Sequence, residues 1–129
     1  MRLLLDTHIF LWYITADGRL PVGLRAAIQD PVNVVFLSVA TVWEAVLKHG
    51  LGKLPLPGAP EEFLPRQRDL HGIASLPLEE AALTHLAKLP PLHRDPFDRI
   101  LIAQALQHDL TLVTVDDTMK AYSVKVISG

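Results

Sequence analysis

The chain has 129 residues, half of them hydrophobic, with 12 basic and 14 acidic residues and a formal net charge of −2. This size and hydrophobic content predict one domain, residues 1–129, with a substantial core, and the charge argues against a simple basic module that binds polyanions. Cysteine is absent, which excludes disulfides and thiolate chemistry. No apolar run has membrane-spanning length and no signal peptide is visible, so we expect a soluble cytoplasmic protein.

The first predicted strand and helix frame an acidic residue. Three leucines after Arg2 predict a short strand over residues 2–6 that is buried on both faces, as in the middle of a parallel sheet. Asp6 would then emerge at the carboxyl edge of the sheet, where open α/β sheets bind ligands. Thr7 would open a helix over residues 7–15. The alternative is that Asp6 only caps this helix.

The middle of the chain alternates helices and strands. We predict helices over residues 21–29, 39–48, 61–71 and 78–89, and strands over residues 33–37 and 73–76. Pro21 would lie in the first turn of its helix, and Ser38 is a suitable N-cap for the next one. That helix carries apolar residues at helical spacing: Val39, Val42, Trp43, Val46 and Leu47. The helix over residues 78–89 would begin with Glu79 and Glu80, which suits the helix dipole.

The last third of the chain supplies two more candidate acids, Asp98 and Asp116. Asp95 is a plausible N-cap with Pro96 at the first position of a helix that runs to residue 107. A strand over residues 111–115 ends before Asp116, and a last short strand covers residues 124–127. Strands that alternate with helices imply a parallel sheet with right-handed crossovers, so we expect an α/β fold with helices on both faces of four or five strands.

Four acids are expected at one edge of this sheet. Asp6 and Asp116 end strands, Glu44 lies in the second turn of a helix, and Asp98 lies in the first turn of another. Strand ends and the first turns of the following helices share the carboxyl edge of a parallel sheet. Each acid also has a plainer interpretation: Glu44 could pair with Lys48 four residues later, and Asp98 and Asp116 could serve as local caps.

The convergence of four acids predicts a metal site. Two carboxylates about 4 Å apart repel by roughly 4 kcal/mol at an effective dielectric constant near 20, so either their pKa values rise or a divalent cation lies among them. Oxygen ligands without cysteine favour Mg²⁺ or Mn²⁺ over zinc. Such ions activate water and neutralise charge on a phosphodiester, which suggests phosphodiester hydrolysis.

Four segments in order resemble the PIN-domain family, and within it the VapC-type toxins of bacterial toxin–antitoxin pairs. These segments are residues 3–8 with Leu11 and Trp12, residues 38–44 with Lys48, residues 93–99 with residues 103–105, and residues 112–116. The resemblance covers essentially the whole chain and implies a three-layer α/β/α sandwich. It also implies a metal-dependent endoribonuclease, an antitoxin that silences it, and a homodimer.

The resemblance maps the catalytic and metal-binding acids onto Asp6, Glu44, Asp98 and Asp116. It assigns supporting roles to Thr7 and to Thr114, whose hydroxyl would orient metal, water or acid. The neighbouring acids Asp95 and Asp117 are ambiguous. We interpret Arg94 and Arg99 as candidate contacts to RNA phosphates or as ordinary charges. His8 and His93 are either proton carriers or metal ligands, or polar groups that pack and cap.

Two rival functions are weighed against the nuclease. A phosphorylatable receiver domain needs an acidic pair after strand one and an Asp after strand three, whereas this chain has a single Asp6 and ends its third strand at Leu76 and Pro77. A phosphatase that begins Asp-x-Asp fails because residue 8 is His. The more serious rival is a PIN-like module without catalysis that binds a protein partner or RNA.

Overall fold

A five-stranded parallel sheet forms the centre of the computed structural model, which describes residues 1–129. The strands are β1 (Arg2–Leu5), β2 (Val34–Ser38), β3 (Ala74–Leu76), β4 (Thr111–Val113) and β5 (Val126–Ile127). The helices are α1 (Thr7–Ile14), α2 (Val22–Gln29), α3 (Val39–Gly50), α4 (Pro60–Leu70), α5 (Ala81–Lys88), α6 (Pro96–His108) and α7 (Asp117–Lys120). The expectation of an α/β fold around a mainly parallel sheet is confirmed.

The strand order creates a crevice beside β1. The strands lie in the order β3-β2-β1-β4-β5, and every neighbouring pair is parallel. The chain first builds outwards from β1 to β3 and then returns to place β4 on the other side of β1. Ligands of open α/β sheets bind where the strand order reverses, at the carboxyl ends of the strands. In this protein that point lies just after Leu5 and Val113.

Two apolar layers cover the faces of the sheet. Along β1, Leu3 and Leu5 pack into one layer with α1, α2 and α4, whereas Leu4 packs into the other with α5, α6 and α7. Successive strand residues point to opposite faces, and all three leucines are fully buried. The run of three leucines is therefore explained by a central strand covered on both sides.

No helix is both long and apolar enough to cross a membrane.

Two predicted helix caps are confirmed. The Ser38 hydroxyl accepts a hydrogen bond from the Ala40 amide at 3.0 Å. The Asp95 carboxylate accepts from the amides of Phe97 at 2.8 Å and Asp98 at 3.3 Å, with Pro96 at the first helical position. Pro21 instead lies one residue before its helix in an extended conformation, as the N-cap, where its carbonyl accepts from the amides of Leu24 and Arg25.

The predicted end of β4 and the predicted start of α5 are wrong, and one helix was not predicted. Strand β4 ends at Val113, not at residue 115, because the Thr114 hydroxyl accepts from the Asp116 amide at 3.1 Å and turns the chain. Asp116 then caps α7, a helix that we did not predict. Helix α5 starts only at Ala81, since the preceding Glu79 and Glu80 form a turn. The Glu79 carboxylate contacts Gln107 and His108 in this turn.

Helix α3 buries the face that its sequence would place outside. Four of its five large apolar side chains are exposed, with Trp43 at 57% and Leu47 at 49%, whereas Val42 is half-buried against the core. Its buried residues are Ala40, Thr41, Glu44 and Ala45. An amphipathic helix normally packs its apolar face inwards. In α3 the small and polar face is the buried one, and Glu44 therefore lies in the interior.

Candidate active site

Asp6 and Thr114 form the floor of the crevice at the ends of β1 and β4. The Asp6 amide donates to the Val113 carbonyl at 2.9 Å, which extends the strand pairing by one bond. The buried Thr114 hydroxyl donates to Asp6 Oδ2 at 2.7 Å. The same hydroxyl oxygen accepts from the Asp116 amide. Thr114 therefore fixes the carboxylate of one acid and the backbone of another.

Glu44 reaches the same crevice from α3. Its side chain is 3% exposed and accepts from the Thr7 hydroxyl at 2.8 Å and from Lys48 Nζ at 2.6 Å. Thr7 also lies 3.2 Å from the Thr41 hydroxyl. The Lys48 pair that we considered as the plainer interpretation is present, and it coexists with burial of Glu44 beside the first strand. Thr7 thus joins α1 to α3 at the acidic edge.

Asp98 comes from the first turn of α6. Its Oδ2 lies 2.8 Å from His93 Nε2, and its side chain is 14% exposed. The pKa of Asp98 is raised to about 7, mainly by burial and then by the charges of Asp6, Asp95 and Glu44. Three other acids therefore lie close enough to Asp98 to oppose its ionisation.

Asp116 occupies the more open side of the crevice. Its side chain is 37% exposed, and its Oδ2 lies 3.6 Å from His93 Nε2. Its other oxygen accepts from the Thr118 amide at 2.8 Å as the cap of α7. Asp116 also raises the pKa of Asp6, although burial is the largest cause of that increase. The predicted cap and the predicted place in the acidic cluster are thus both present.

The four acids predicted from the sequence share one crevice. Thr114 bonds both Asp6 and Asp116, and His93 lies between Asp98 and Asp116. Thr7, directly after Asp6, bonds Glu44. Lys48 donates a hydrogen bond to Glu44, and this bond is the main reason why the pKa of Lys48 is raised. One atom each of His93, Asp98 and Asp116 lie within 4.8 Å of one another, so the two carboxylates are close enough to share one cation beside the imidazole. Carboxylates with an excess of negative charge fit Mg²⁺ or Mn²⁺. The donor set therefore fits a divalent metal.

The remaining predicted residues lie around this cluster. Arg94 is exposed. Arg99 Nη1 donates to the Pro90 carbonyl at 3.0 Å and to the Tyr122 hydroxyl at 3.1 Å, so it holds the protein's own loop. Asp117 points to solvent, where a hydrogen bond from Lys120 lowers its pKa.

The sequence left the role of His93 open between a proton carrier, a metal ligand and a polar packing group, so its place in the site was not fixed in advance. Two signals could have found it: its place directly before Arg94 and Asp95 in the third motif, and the proximity that a short turn imposes on Asp98. His8 was weighed equally with His93. It is exposed beside the Trp12 ring, and its charge acts on Asp6, where it opposes the rise in pKa that burial causes.

The sequence model of the family described as the PIN domain matches residues 3–125. The chain belongs to the PIN-domain family. As a PIN domain it is 34% identical over 61 residues to Ribonuclease VapC16 of Mycobacterium tuberculosis. That alignment covers 47% of this chain and 43% of the relative, so the chain matches less than half of the length of that protein.

Solved structures of similar fold cover nearly the whole PIN domain. VapBC2 from Rickettsia felis bound to a promoter DNA fragment contains a chain with a TM-score of 0.70 and 17% identity, over 98% of both chains. VapBC-1 from nontypeable Haemophilus influenzae contains one with a TM-score of 0.67 and 17% identity, over 99% of this chain and 98% of the other. At these identities the similarity establishes the fold.

Proposed function

We propose that this PIN domain is a metal-dependent endoribonuclease and the toxin of a toxin–antitoxin pair. One observation carries the proposal: acids from the end of β1, from α3, from α6 and from the turn after β4 meet where the strand order reverses. Burial there, and then repulsion from neighbouring acids, raises the pKa of Asp98 to about 7. A buried concentration of like charge is costly unless a cation or a proton compensates it. The name of the relative VapC16 supports ribonuclease as the activity.

We assign the roles of the acids from their surroundings. Asp6, Asp98 and Asp116 would hold Mg²⁺ or Mn²⁺, and the bound ion would supply activation of water and neutralisation of phosphate charge. Both oxygens of Glu44 already accept hydrogen bonds, from Thr7 and Lys48. Glu44 would therefore complete the negative site, either as a further ligand or by orienting the attacking water.

The reaction is hydrolysis of an RNA phosphodiester. The water oxygen forms a bond to phosphorus, the bond from phosphorus to the leaving ribose oxygen breaks, and that oxygen gains a proton. Thr114 keeps Asp6 in place during this step, because its hydroxyl donates to Asp6 Oδ2 at 2.7 Å. Exposed loops of folded RNA are the expected substrates, since their bases are unstacked and accessible.

Phosphate contacts are expected beside the acids. Arg94 is exposed on the loop that precedes α6 and is free to reach a substrate phosphate. Arg99 remains a candidate only through the part of its guanidinium that does not bind Pro90 and Tyr122. We therefore expect Arg94 to contribute more to RNA affinity than Arg99.

RNA cleavage in the presence of Mg²⁺ or Mn²⁺, with EDTA controls, tests the activity. We expect products that require the metal and disappear in Asp98→Asn. Asp117→Asn is the matched control, because Asp117 is exposed and paired with Lys120. The absence of metal-dependent products from several RNA pools would favour a module that only binds RNA or protein.

An antitoxin is the expected protein partner, and the toxin–antitoxin complexes among the similar structures support this expectation. A groove of about 240 Å³ lies between α1 and the loop before α4. Its apolar lining is Leu11, Trp12 and residues 54–56, and His8, Thr15, Asp17 and Arg19 complete it. A helical antitoxin segment could lay apolar side chains into it. Continuing towards the acids, it would present a positive group, best an arginine, in place of the cation.

Competition between antitoxin and metal tests this arrangement. The cognate antitoxin peptide should raise the dissociation constant of Mn²⁺, and Mn²⁺ should raise the dissociation constant of the peptide by the same factor. Equal metal affinities with and without the peptide would mean that inhibition does not involve the acidic cluster.

A further inference from the structure

The loop between α5 and α6, residues 89–95, is held at three points although it has no regular structure. Arg99 donates to the Pro90 carbonyl, and the His93 amide donates to the hydroxyl of Tyr122 at 2.9 Å. Asp95 caps α6 at the far end. Tyr122 is buried and also accepts from Arg99 at 3.1 Å. These bonds place one residue of the loop, His93, over the acidic cluster.

The surroundings of the His93 ring distinguish its two nitrogens. The Asp95 amide donates to Nδ1 at 3.4 Å, so Nδ1 acts as an acceptor. In the neutral ring the proton is then on Nε2, which lies 2.8 Å from Asp98 Oδ2 and 3.6 Å from Asp116 Oδ2. A histidine that binds a metal usually directs its other nitrogen as a donor towards an acceptor. At His93 the other nitrogen faces a donor.

We propose that His93 is a positioning residue of the metal centre: its Nε2–H holds Asp98 Oδ2 and leaves the second oxygen of Asp98 for the cation. The inference rests on the proposed function, because it assumes that a divalent cation binds at the acids. Tyr122 and Arg99 act through His93, since they fix the loop that carries it. Hydrogen bonds to ligating carboxylates of this kind typically contribute about 10- to 100-fold to metal affinity.

Mn²⁺ affinity measured by calorimetry and by electron paramagnetic resonance tests this role. His93→Leu, which removes the donor, should weaken Mn²⁺ binding by about 10- to 100-fold. In His93→Gln the side-chain amide can donate from a similar place, so we expect affinity within about threefold of wild type. Tyr122→Phe should cause a smaller loss than His93→Leu, because it only loosens the loop.

The control is His71→Leu, which replaces an exposed histidine after α4, away from the cluster. It should leave Mn²⁺ affinity unchanged. Circular dichroism of each variant establishes that it is folded. An equal affinity of folded His93→Leu and wild type would overturn the inference.

Electron spin echo spectroscopy of the wild type with Mn²⁺ tests the same point without a variant. We expect no coupling between Mn²⁺ and a directly bound imidazole nitrogen. Such coupling would show that His93 is a ligand and would overturn the inference. If the wild type binds no Mn²⁺ at all, both the inference and the proposed function fail. If it binds Mn²⁺ but the His93 variants do not differ, only the inference fails.

Discussion

Asp98 concentrates the electrostatics of the site in one side chain. Burial and three neighbouring acids raise its pKa from 3.8 to about 7. A shift of this size corresponds to at most about 4 kcal/mol, and screening in the partly open crevice reduces it to about 1–2 kcal/mol. Without metal, the ionised Asp98 therefore opposes folding and leaves the crevice ready to bind a cation.

The pH dependence of stability follows from the direction of this shift. Because the folded-state pKa is the higher one, stability from Asp98 is fully present below pH 3.8 and is lost as the pH rises to about 7. In EDTA at pH 8, Asp98→Asn should have a free energy of unfolding about 1–2 kcal/mol higher than that of wild type, measured by denaturant unfolding. The advantage should vanish near pH 4. A constant difference across this range would contradict the assigned pKa.

Substitution of the four site acids should reduce RNA cleavage, whereas substitution of Asp95 should not. Asp6→Asn, Glu44→Gln, Asp98→Asn and Asp116→Asn should each reduce the metal-dependent rate by at least about 100-fold and leave the fold intact. Asp95→Asn is the matched control, because asparagine is an equally good N-cap. Single-turnover cleavage measures both. If Asp95→Asn were inactive and Asp98→Asn active, the assignment within the third motif would be wrong.

At the level of the elements, α3 links the sheet to the site. Ser38 caps the helix, and its hydroxyl also donates to Gln104 Oε1 at 2.5 Å, while Gln104 Nε2 donates to the Pro77 carbonyl at 3.2 Å. Both Ser38 and Gln104 are fully buried. This bridge between α3 and α6 fixes the distance between the two helices that carry Glu44 and Asp98.

Removing the Ser38 hydroxyl tests the bridge. Ser38→Ala loses a helix cap and leaves a buried amide oxygen without its donor, so it should destabilise the protein by about 2–3 kcal/mol. Urea unfolding measures the change. Ser123→Ala, at an exposed serine, should stay within about 0.5 kcal/mol of wild type. A similarly small effect at Ser38 would show that the bridge is not important for stability.

For the whole molecule, the apolar side of α3 forms part of a larger exposed surface. Together with α5 and the start of α6 it surrounds a cavity of about 450 Å³, and none of its lining residues is charged. They are Trp43, Leu47, Leu78, Leu83, Leu86, Pro96, Phe97 and Ile100. Apolar surfaces of this kind mark association sites. A twofold contact sets a patch against itself, and a patch without charges meets no repulsion there.

We therefore predict that the isolated protein is a homodimer through this surface. Leu83→Glu places a charge at a residue that is 49% exposed and should convert the dimer to a monomer. Leu70→Glu, at an exposed leucine of α4 (71%), is the matched control and should remain dimeric. Sedimentation velocity distinguishes the two. A monomeric wild type, or a dimer that persists in Leu83→Glu, would contradict this interface.

The sequence by itself determined the central strand, two helix caps and the position of Asp6 at the carboxyl end of that strand. These features depend on neighbours in the chain: a run of leucines long enough for one strand, Ser38 before an apolar periodic segment, and Asp95 followed by Pro96. Local preference and spacing are sufficient for such features.

Only the tertiary structure decided which face of α3 is buried, where Asp116 lies beyond β4, and that His93 joins the acids. Each depends on contacts between distant residues, such as Thr114 with Asp6 across 108 positions and His93 with Tyr122 across 29. Helical periodicity shows that a helix has two faces, but what packs against the helix decides which face is buried. In this fold Glu44 is on the buried face, because Thr7 and Lys48 satisfy its carboxylate there.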